Sequence, residues 1–167
     1  PRAVEVVYLN NRSNPVTQTV EKAMLAPAKR LGMRVTYLNA ASEAELDQAL
    51  AALPAKRLDA LLMGADAINR IYRAKIIAAL AEIRLSAMHS FSDVAIDGGL
   101  ISYAPSTAER YRNEASFVDR ILKGAKPGSL PMEQPTNFEM VVHLKTAKAL
   151  GITVPQSILL RAGRVIE

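Results

Sequence analysis

The sequence predicts an α/β domain with a doubly wound, mostly parallel sheet that carries helices on both faces. Short β-branched and apolar runs alternate with amphipathic stretches of about ten to fifteen residues, the pattern of successive βαβ units. Glycine, proline or clusters of turn-forming residues separate most of these segments. The chain has 167 residues, half of them hydrophobic, and this size suits a single globular domain.

The first two units each consist of a strand and a helix. Val4–Leu9 is a predicted strand, residues 10–15 are turn formers, and Thr17–Leu31 is an amphipathic helix that a glycine ends. Met33–Leu38 is the second predicted strand. The helix Glu43–Leu53 follows it, beginning with a capping box and ending at a proline.

Three further strands continue the alternation. They are predicted at Leu58–Gly64, Leu85–Ser90 and Leu100–Tyr103. Residues 65–69 form a loop before the helix Arg70–Ile83, and Phe91–Asp97 is a short helix or loop. The long helix Thr107–Lys123 has an apolar stripe, which we expect to pack on the sheet.

The pattern changes after this helix. Three prolines between residues 127 and 135 predict an extended crossover and exclude a central strand. Residues 138–142 alternate as a strand does, and Leu144–Leu150 is a short helix that a glycine ends. A proline begins the final helix, predicted over 155–165.

Composition excludes several classes of protein. The chain has no cysteine, which excludes disulfide scaffolds and thiolate metal sites. No apolar run approaches the roughly 20 residues of a membrane span. The net charge of +5 is divided as +2 over residues 1–105 and +3 over residues 106–167, without a basic block and without tryptophan. We therefore expect no nucleic-acid partner.

No catalytic template is present either. Gly64 and the pair at 98–99 are isolated, so there is no phosphate loop and no dinucleotide fingerprint. The run His89–Asp93 contains Ser, His and Asp, but a triad is assembled from distant segments. Asp93 and Asp97 form a close pair of carboxylates, but no histidine accompanies them, so a metal site is not expected. A phosphoacceptor receiver domain has paired acids after its first strand, where this chain has asparagines at residues 10–11. The sequence predicts no enzyme, no metal and no cofactor.

Polar loops follow the predicted strands. In an open parallel sheet, ligands bind outside the carboxyl ends of the strands. The loops at that edge are 10–15, 65–69, 90–93 and 103–106. Their Asn, Asp, Ser and Tyr side chains can bind amide, carboxylate, ammonium or hydroxyl groups. The same residue types also serve as turn formers and helix caps, so both roles stay open at each loop.

Several motifs resemble a known family. Phe117–Pro127 and Leu130–Thr136 resemble the substrate-binding proteins of ABC transporters, and Leu144–Gly151 resembles the end of the tryptophan/tyrosine-type solute receptors. The resemblance extends back through Gly98–Tyr103 to the turn at residues 14–15, and so covers essentially the whole chain. These receptors are longer and two-lobed, with a periplasmic-binding-protein-like type I, Rossmann-like fold. The resemblance therefore implies an excised C-terminal lobe.

The resemblance also implies a function, which is non-catalytic capture of a small solute in the cleft between the lobes for import. The solute would be an amino acid or a small aromatic molecule, and the parent protein would deliver it to ABC permease subunits. The implied location of the parent is periplasmic or extracellular and membrane-associated. Carried over by position, the expected ligand-binding residues are Asn14, Asp66, Ser90, Phe91, Asp93 and Tyr103. Among these, the Asp can pair with an ammonium group, and the two aromatic residues can stack on a ligand.

Two other functions stay open. A ligand-sensing regulatory or signalling domain uses the same two-lobed fold with a further segment attached. A sugar-phosphate or nucleotide enzyme on a flavodoxin-like sheet requires a glycine-rich phosphate loop, which is absent.

The tail is predicted to be a separate unit. We divide the chain into a ligand-binding lobe, 1–131, and a crossover strand with a C-terminal helical tail, 132–167. In the two-lobed plan the apolar residues of Phe138–Glu167 pack partly against the missing lobe. Without that lobe they would form an adhesive patch, so we expect the tail to fold onto itself or to be buried in a homodimer.

Overall fold

The computed structural model describes residues 3–167. Within them the strands are β1 (Glu5–Asn10), β2 (Arg34–Asn39), β3 (Ala60–Met63), β4 (Ala87–His89), β5 (Ile101–Pro105), β6 (Phe138–His143) and β7 (Arg164–Ile166). The helices are α1 (Val16–Leu31), α2 (Glu43–Ala51), α3 (Ala67–Ile71), α4 (Arg73–Glu82), α5 (Ser92–Ile96), α6 (Thr107–Leu122), α7 (Leu144–Leu150) and α8 (Gln156–Leu159). None of these helices is long and apolar enough to cross a membrane.

These strands form one sheet in the order β2-β1-β3-β4-β5-β6-β7. The first five run parallel, β6 runs antiparallel to β5, and β7 runs parallel to β6. Parallel strands require a crossover, and helices supply it at each of the first four connections. The predicted doubly wound, mostly parallel α/β architecture is confirmed.

Local signals at the helix ends act as the sequence indicates. Gly32 ends α1 with a left-handed backbone (φ 67°), and its N–H donates to Lys29 O at 3.1 Å. Gly151 ends α7 in the same way at φ 74°. The Ser42 side chain caps α2 by accepting a hydrogen bond from Glu45 N at 3.2 Å.

One face of the sheet carries the hydrophobic core. The strand register places Val7 beside Leu61 and Leu61 beside Ala87, so these side chains share a face. They are at most 5% exposed, and they pack with Leu46 of α2 and Ile76 of α4. We call this the covered face.

The opposite face is only partly covered at β4, β5 and β6, where Val142 is buried but other side chains are exposed. Met88 lies beside Ile101, Tyr103 lies beside Met140, and Phe138 is the next side chain on that face. Met88, Tyr103 and Phe138 are 36%, 47% and 48% exposed. These three residues, with Ile101 and Met140, form what we call the open face, although a parallel sheet normally has helices over both faces.

The apolar stripe of α6 does not pack on the sheet, which corrects the prediction from the sequence. No side chain of α6 is buried, and Tyr111, Val118 and Leu122 are 59%, 56% and 82% exposed. Helical periodicity identifies an apolar face but not the surface that covers it. We call these three residues the α6 stripe. Like three residues of the open face, it stays largely exposed in the part of the chain that the structure describes.

Two helix predictions are wrong in their bounds. The final helix, predicted to reach Val165, ends at Leu159, and the β-branched residues near the end of the chain form β7 beside β6. Residues 65–69, predicted as a loop, contain the start of α3, because the Asp66 side chain caps that helix. The predicted helix Arg70–Ile83 is therefore divided between α3 and α4.

The proline-rich segment behaves as its composition indicates. Pro127–Ser129 forms a 3-10 turn, and no strand follows until β6. Because β6 pairs with β5 from Phe138 to Val142, this part of the tail extends the sheet of the lobe itself. The division of the chain at residue 131 stays a prediction, as does a homodimer.

Candidate functional site

The candidate site lies at the carboxyl edge of the sheet. Because β1, β3, β4 and β5 run parallel, the segments that follow them meet at one edge. Five of the expected ligand-binding residues lie in these segments or in the helix that follows one of them, and Tyr103 lies within β5.

The carboxylate of Asp66 accepts three hydrogen bonds from the protein and so joins two loops. Only 9% exposed, it accepts hydrogen bonds at Oδ1 from Ile68 N (3.1 Å) and Asn11 Nδ2 (3.3 Å). Its Oδ2 accepts one from Asn14 Nδ2 at 3.0 Å. Asp66 therefore caps α3 and fastens the loop after β1 to the loop after β3. The structure thus brings two of the expected residues, Asn14 and Asp66, into direct contact.

A buried tyrosine, Tyr8, lies near Asp66. The hydroxyl of Tyr8 approaches the end of β3 so closely that a Cβ added to Gly64 would lie 2.7 Å from Tyr8 Oη. Burial raises the pKa of Tyr8, and the carboxylates of Glu21 and Asp66 and the phenol of Tyr37 add to this shift. The phenol therefore stays neutral. Of the two carboxylates, Glu21 pairs with Arg12 at 3.4 Å, whereas Asp66 forms no ion pair in the described part of the chain, so Asp66 gives this part of the edge its negative charge.

A second group joins the loop after β4 to α3. Ser90 Oγ donates to Met63 O at 2.8 Å, which ties that loop to the end of β3. Asp93 Oδ2 accepts from Arg70 Nε at 2.7 Å, and the Arg70 guanidinium lies 5.4 Å from the centre of the Phe91 ring. The structure therefore gathers Phe91 and Asp93 around a cation that the sequence reasoning missed. The only indication of this cation in the sequence is a basic residue, Arg70, one helical turn after Asp66, the cap of α3.

An aromatic pair forms the third part of the edge. The rings of Tyr103 and Phe138 are stacked, with centroids 5.3 Å apart and an interplanar angle of 18°. Phe138 is not among the expected residues, because the sequence predicts the tail as a separate unit, whereas the antiparallel pairing of β6 sets it opposite Pro105. Tyr103 makes no hydrogen bond or ring contact with the other five expected residues in the described part of the chain.

The chemistry of this edge is that of a binding surface. It offers a flat, half-exposed aromatic pair, a negative region around Asp66, and the guanidinium of Arg70. Within residues 3–167, no cluster of three or more His, Cys, Asp or Glu side chains could hold a metal ion.

Comparison with known proteins identifies the family. A family model described as ABC transporter substrate binding protein matches residues 1–166, so the chain belongs to that family. No curated protein matches the chain.

Solved structures confirm the fold. An ABC domain in complex with L-Trp from Streptococcus pneumonia is 24% identical, with a TM-score of 0.91 over 99% of this chain and 57% of that chain. A conserved domain protein from Vibrio cholerae is 21% identical, with a TM-score of 0.91 over 99% and 55%. The ligand-free, open structure of a substrate binding protein with adhesive properties from Clostridium difficile is 18% identical, with a TM-score of 0.72 over 99% and 55%. This chain therefore spans little more than half the length of these relatives.

Proposed function

We propose that this chain is the C-terminal lobe of a two-lobed solute receptor, and that its carboxyl edge supplies part of the site for an amino acid or a small aromatic solute. Membership of the substrate-binding family supports solute binding. The related structure from Streptococcus pneumonia holds L-Trp and is much longer than this chain, which favours both parts of the proposal. The observation that carries it is the half-exposed aromatic pair on the same sheet edge as a negative region.

Each residue of the edge has a role in this proposal. Tyr103 and Phe138 stack on the apolar or aromatic part of the solute. The negative region around Asp66 attracts an ammonium group, and Arg70 attracts a carboxylate. The remaining expected residues, which already form hydrogen bonds, ion pairs or ring contacts inside the lobe, position these groups. They are Asn14, Ser90, Phe91 and Asp93.

The second lobe also accounts for the two uncovered apolar surfaces. A parallel sheet normally has helices over both faces, whereas Met88, Tyr103 and Phe138 on the open face stay exposed within residues 3–167. The α6 stripe is likewise exposed there. In a two-lobed receptor the other lobe covers the α6 stripe and the part of the open face that the solute does not contact, and closure of the lobes around the solute removes it from water. Delivery to an ABC permease and a periplasmic or extracellular location belong to the same proposal.

The test is solute binding by the full-length protein. Calorimetry against the twenty common L-amino acids, indole and short organic acids should identify at least one ligand. Tyr103→Ala and Phe138→Ala should each weaken that ligand at least about tenfold, equivalent to roughly 1.4 kcal/mol of stacking and apolar contact. Leu25→Ala removes an exposed apolar side chain of α1 outside the site and serves as the matched control. Unchanged affinity in both aromatic variants would contradict the assignment of this edge.

A further inference from the structure

A cavity lies on the covered face of the sheet, outside the strand-end loops of the candidate site. It occupies about 290 Å³ on the covered face, between α4 and α7, and its lining runs along β4 from Ala87 at the start of the strand to His89 at its end. Most of its wall is aliphatic, including Ile77, Leu80, Leu85, Ala87, Leu100 and Ala149. The strand-end loops of the candidate site contribute none of its walls. An apolar cavity of about 150 Å³ is already large enough to bind benzene, so this one has room for a small ring.

His89 supplies a polar atom to this apolar wall. The side chain is 2% exposed, and Nδ1 lies 3.5 Å from Met63 Sδ. A thioether has no proton to donate, so the hydrogen in this contact belongs to Nδ1. Burial lowers the pKa of His89 to about 4, and the ring is neutral at physiological pH. We assign the ring proton to Nδ1 on this contact, which makes Nε2 the hydrogen-bond acceptor.

The surroundings leave Nε2 unpaired. It has no hydrogen-bond partner in the described part of the chain. Thr146 also lines the cavity, but its hydroxyl already donates to Gly98 O at 2.7 Å, and Lys145 is exposed. Gly99 lies against the imidazole, because a Cβ there would stand 2.6 Å from Nε2 and 2.7 Å from Cδ2. Glycine at this position prevents a side chain from filling the space beside the acceptor.

We propose that this cavity is a second binding site, for a small neutral aromatic molecule with one hydrogen-bond donor that pairs with His89 Nε2. Phenol and indole are the simplest members of this class. The aliphatic wall contacts the ring, and the donor pairs with an acceptor that has no hydrogen-bond partner in the described part of the chain. A cationic ligand is excluded, because no carboxylate lines the cavity and its one charged lining residue, the exposed Lys145, is itself a cation.

Phenol and anisole separate the two parts of this proposal, because they share a ring but only phenol can donate. In nuclear magnetic resonance titrations of the chain at pH 7, phenol should shift the His89 Nε2 nitrogen signal in a saturable manner. Phenol should bind roughly two- to tenfold tighter than anisole, the range expected for one neutral hydrogen bond. Equal affinities, or no saturable shift at Nε2, would overturn the proposal.

A pair of alanine variants locates the bound molecule. Ala149→Leu adds bulk at the rim of the cavity, where the alanine is exposed and the fold tolerates the change. It should abolish the phenol shift. Ala78→Leu makes the same change at an exposed position of α4 outside the cavity and should leave the shift intact. Retained phenol binding in Ala149→Leu would place the ligand elsewhere and refute the site. Because Ala149 lies in α7 and none of the strand-end loops lines this cavity, solute binding at the carboxyl edge should be unchanged, and the two proposals can fail independently.

Discussion

Replacing Gly64 by alanine should destabilise the lobe, because the added methyl group has no space. Gly64 follows β3, and its N–H donates to Leu9 O at 2.9 Å. An added Cβ would lie 2.7 Å from Tyr8 Oη and 3.0 Å from Leu9 O, both closer than ordinary contact. The tyrosine has little freedom to retreat, since it is 8% exposed and meets Tyr37 edge-on with ring centroids 6.2 Å apart.

The size of the effect follows from these contacts. Overpacking of this kind costs about 1–3 kcal/mol. In a domain of this size, that loss lowers the Tm by roughly 2–12 °C. Tyr8→Phe removes the hydroxyl but leaves the clash with the Leu9 carbonyl. In that background the cost of Gly64→Ala should therefore fall by about 0.5–1 kcal/mol without disappearing.

Urea and thermal denaturation of the four proteins of this double-mutant cycle measure the coupling. Gly128→Ala is the matched control, because no heavy atom lies within 4 Å of a Cβ added there. It should change the Tm by less than about 2 °C. Two results would refute this reasoning. One is a Tm of Gly64→Ala equal to that of the parent chain, and the other is the same loss of unfolding free energy from Gly64→Ala with and without Tyr8→Phe.

Two further outcomes are expected. Burial lowers the pKa of His89 to about 4, below the ordinary value of 6.5, so between these values the unfolded chain binds the proton first and stability falls as pH falls. The loss should be on the order of 3 kcal/mol from pH 7 to pH 4, seen by urea denaturation, and His89→Asn should lack that part of the slope. Val118→Glu should leave the urea denaturation of this chain unchanged, because the side chain is 56% exposed, but should lower the Tm of the full-length protein by several degrees. A similar loss in both proteins would show that the α6 stripe is not covered by a second lobe.

Local signals predicted most elements because they act within a few residues. Gly32 and Gly151 adopt the left-handed backbone that ends a helix, and the bounds of α1 and α7 follow from them. Non-local contacts were not predictable in the same way. Residues 164–166 become a strand only because β6 lies beside them, and the partner of the α6 stripe cannot be read from its periodicity.

The edge of the candidate site was predictable, but the roles of its residues were not. Strand order and direction place the loops, whereas carboxylates serve equally as caps and as ligand contacts. Only the structure shows that Asp66 already accepts three hydrogen bonds from the protein. Arg70 and Phe138 were missed because their places depend on α3 starting early and on β6 joining the sheet.

The geometry of the sheet limits the solute that can use the whole edge. Asp66 follows β3 and Tyr103 lies in β5, with β4 between them. Neighbouring strands are about 4.8 Å apart, so the negative region and the aromatic pair are separated by roughly 10 Å across the edge. A solute that reaches both must carry its cationic group and its ring at opposite ends. An aromatic amino acid has this size and polarity, whereas an aliphatic acid of similar length would leave the exposed faces of Tyr103 and Phe138 without a stacking partner.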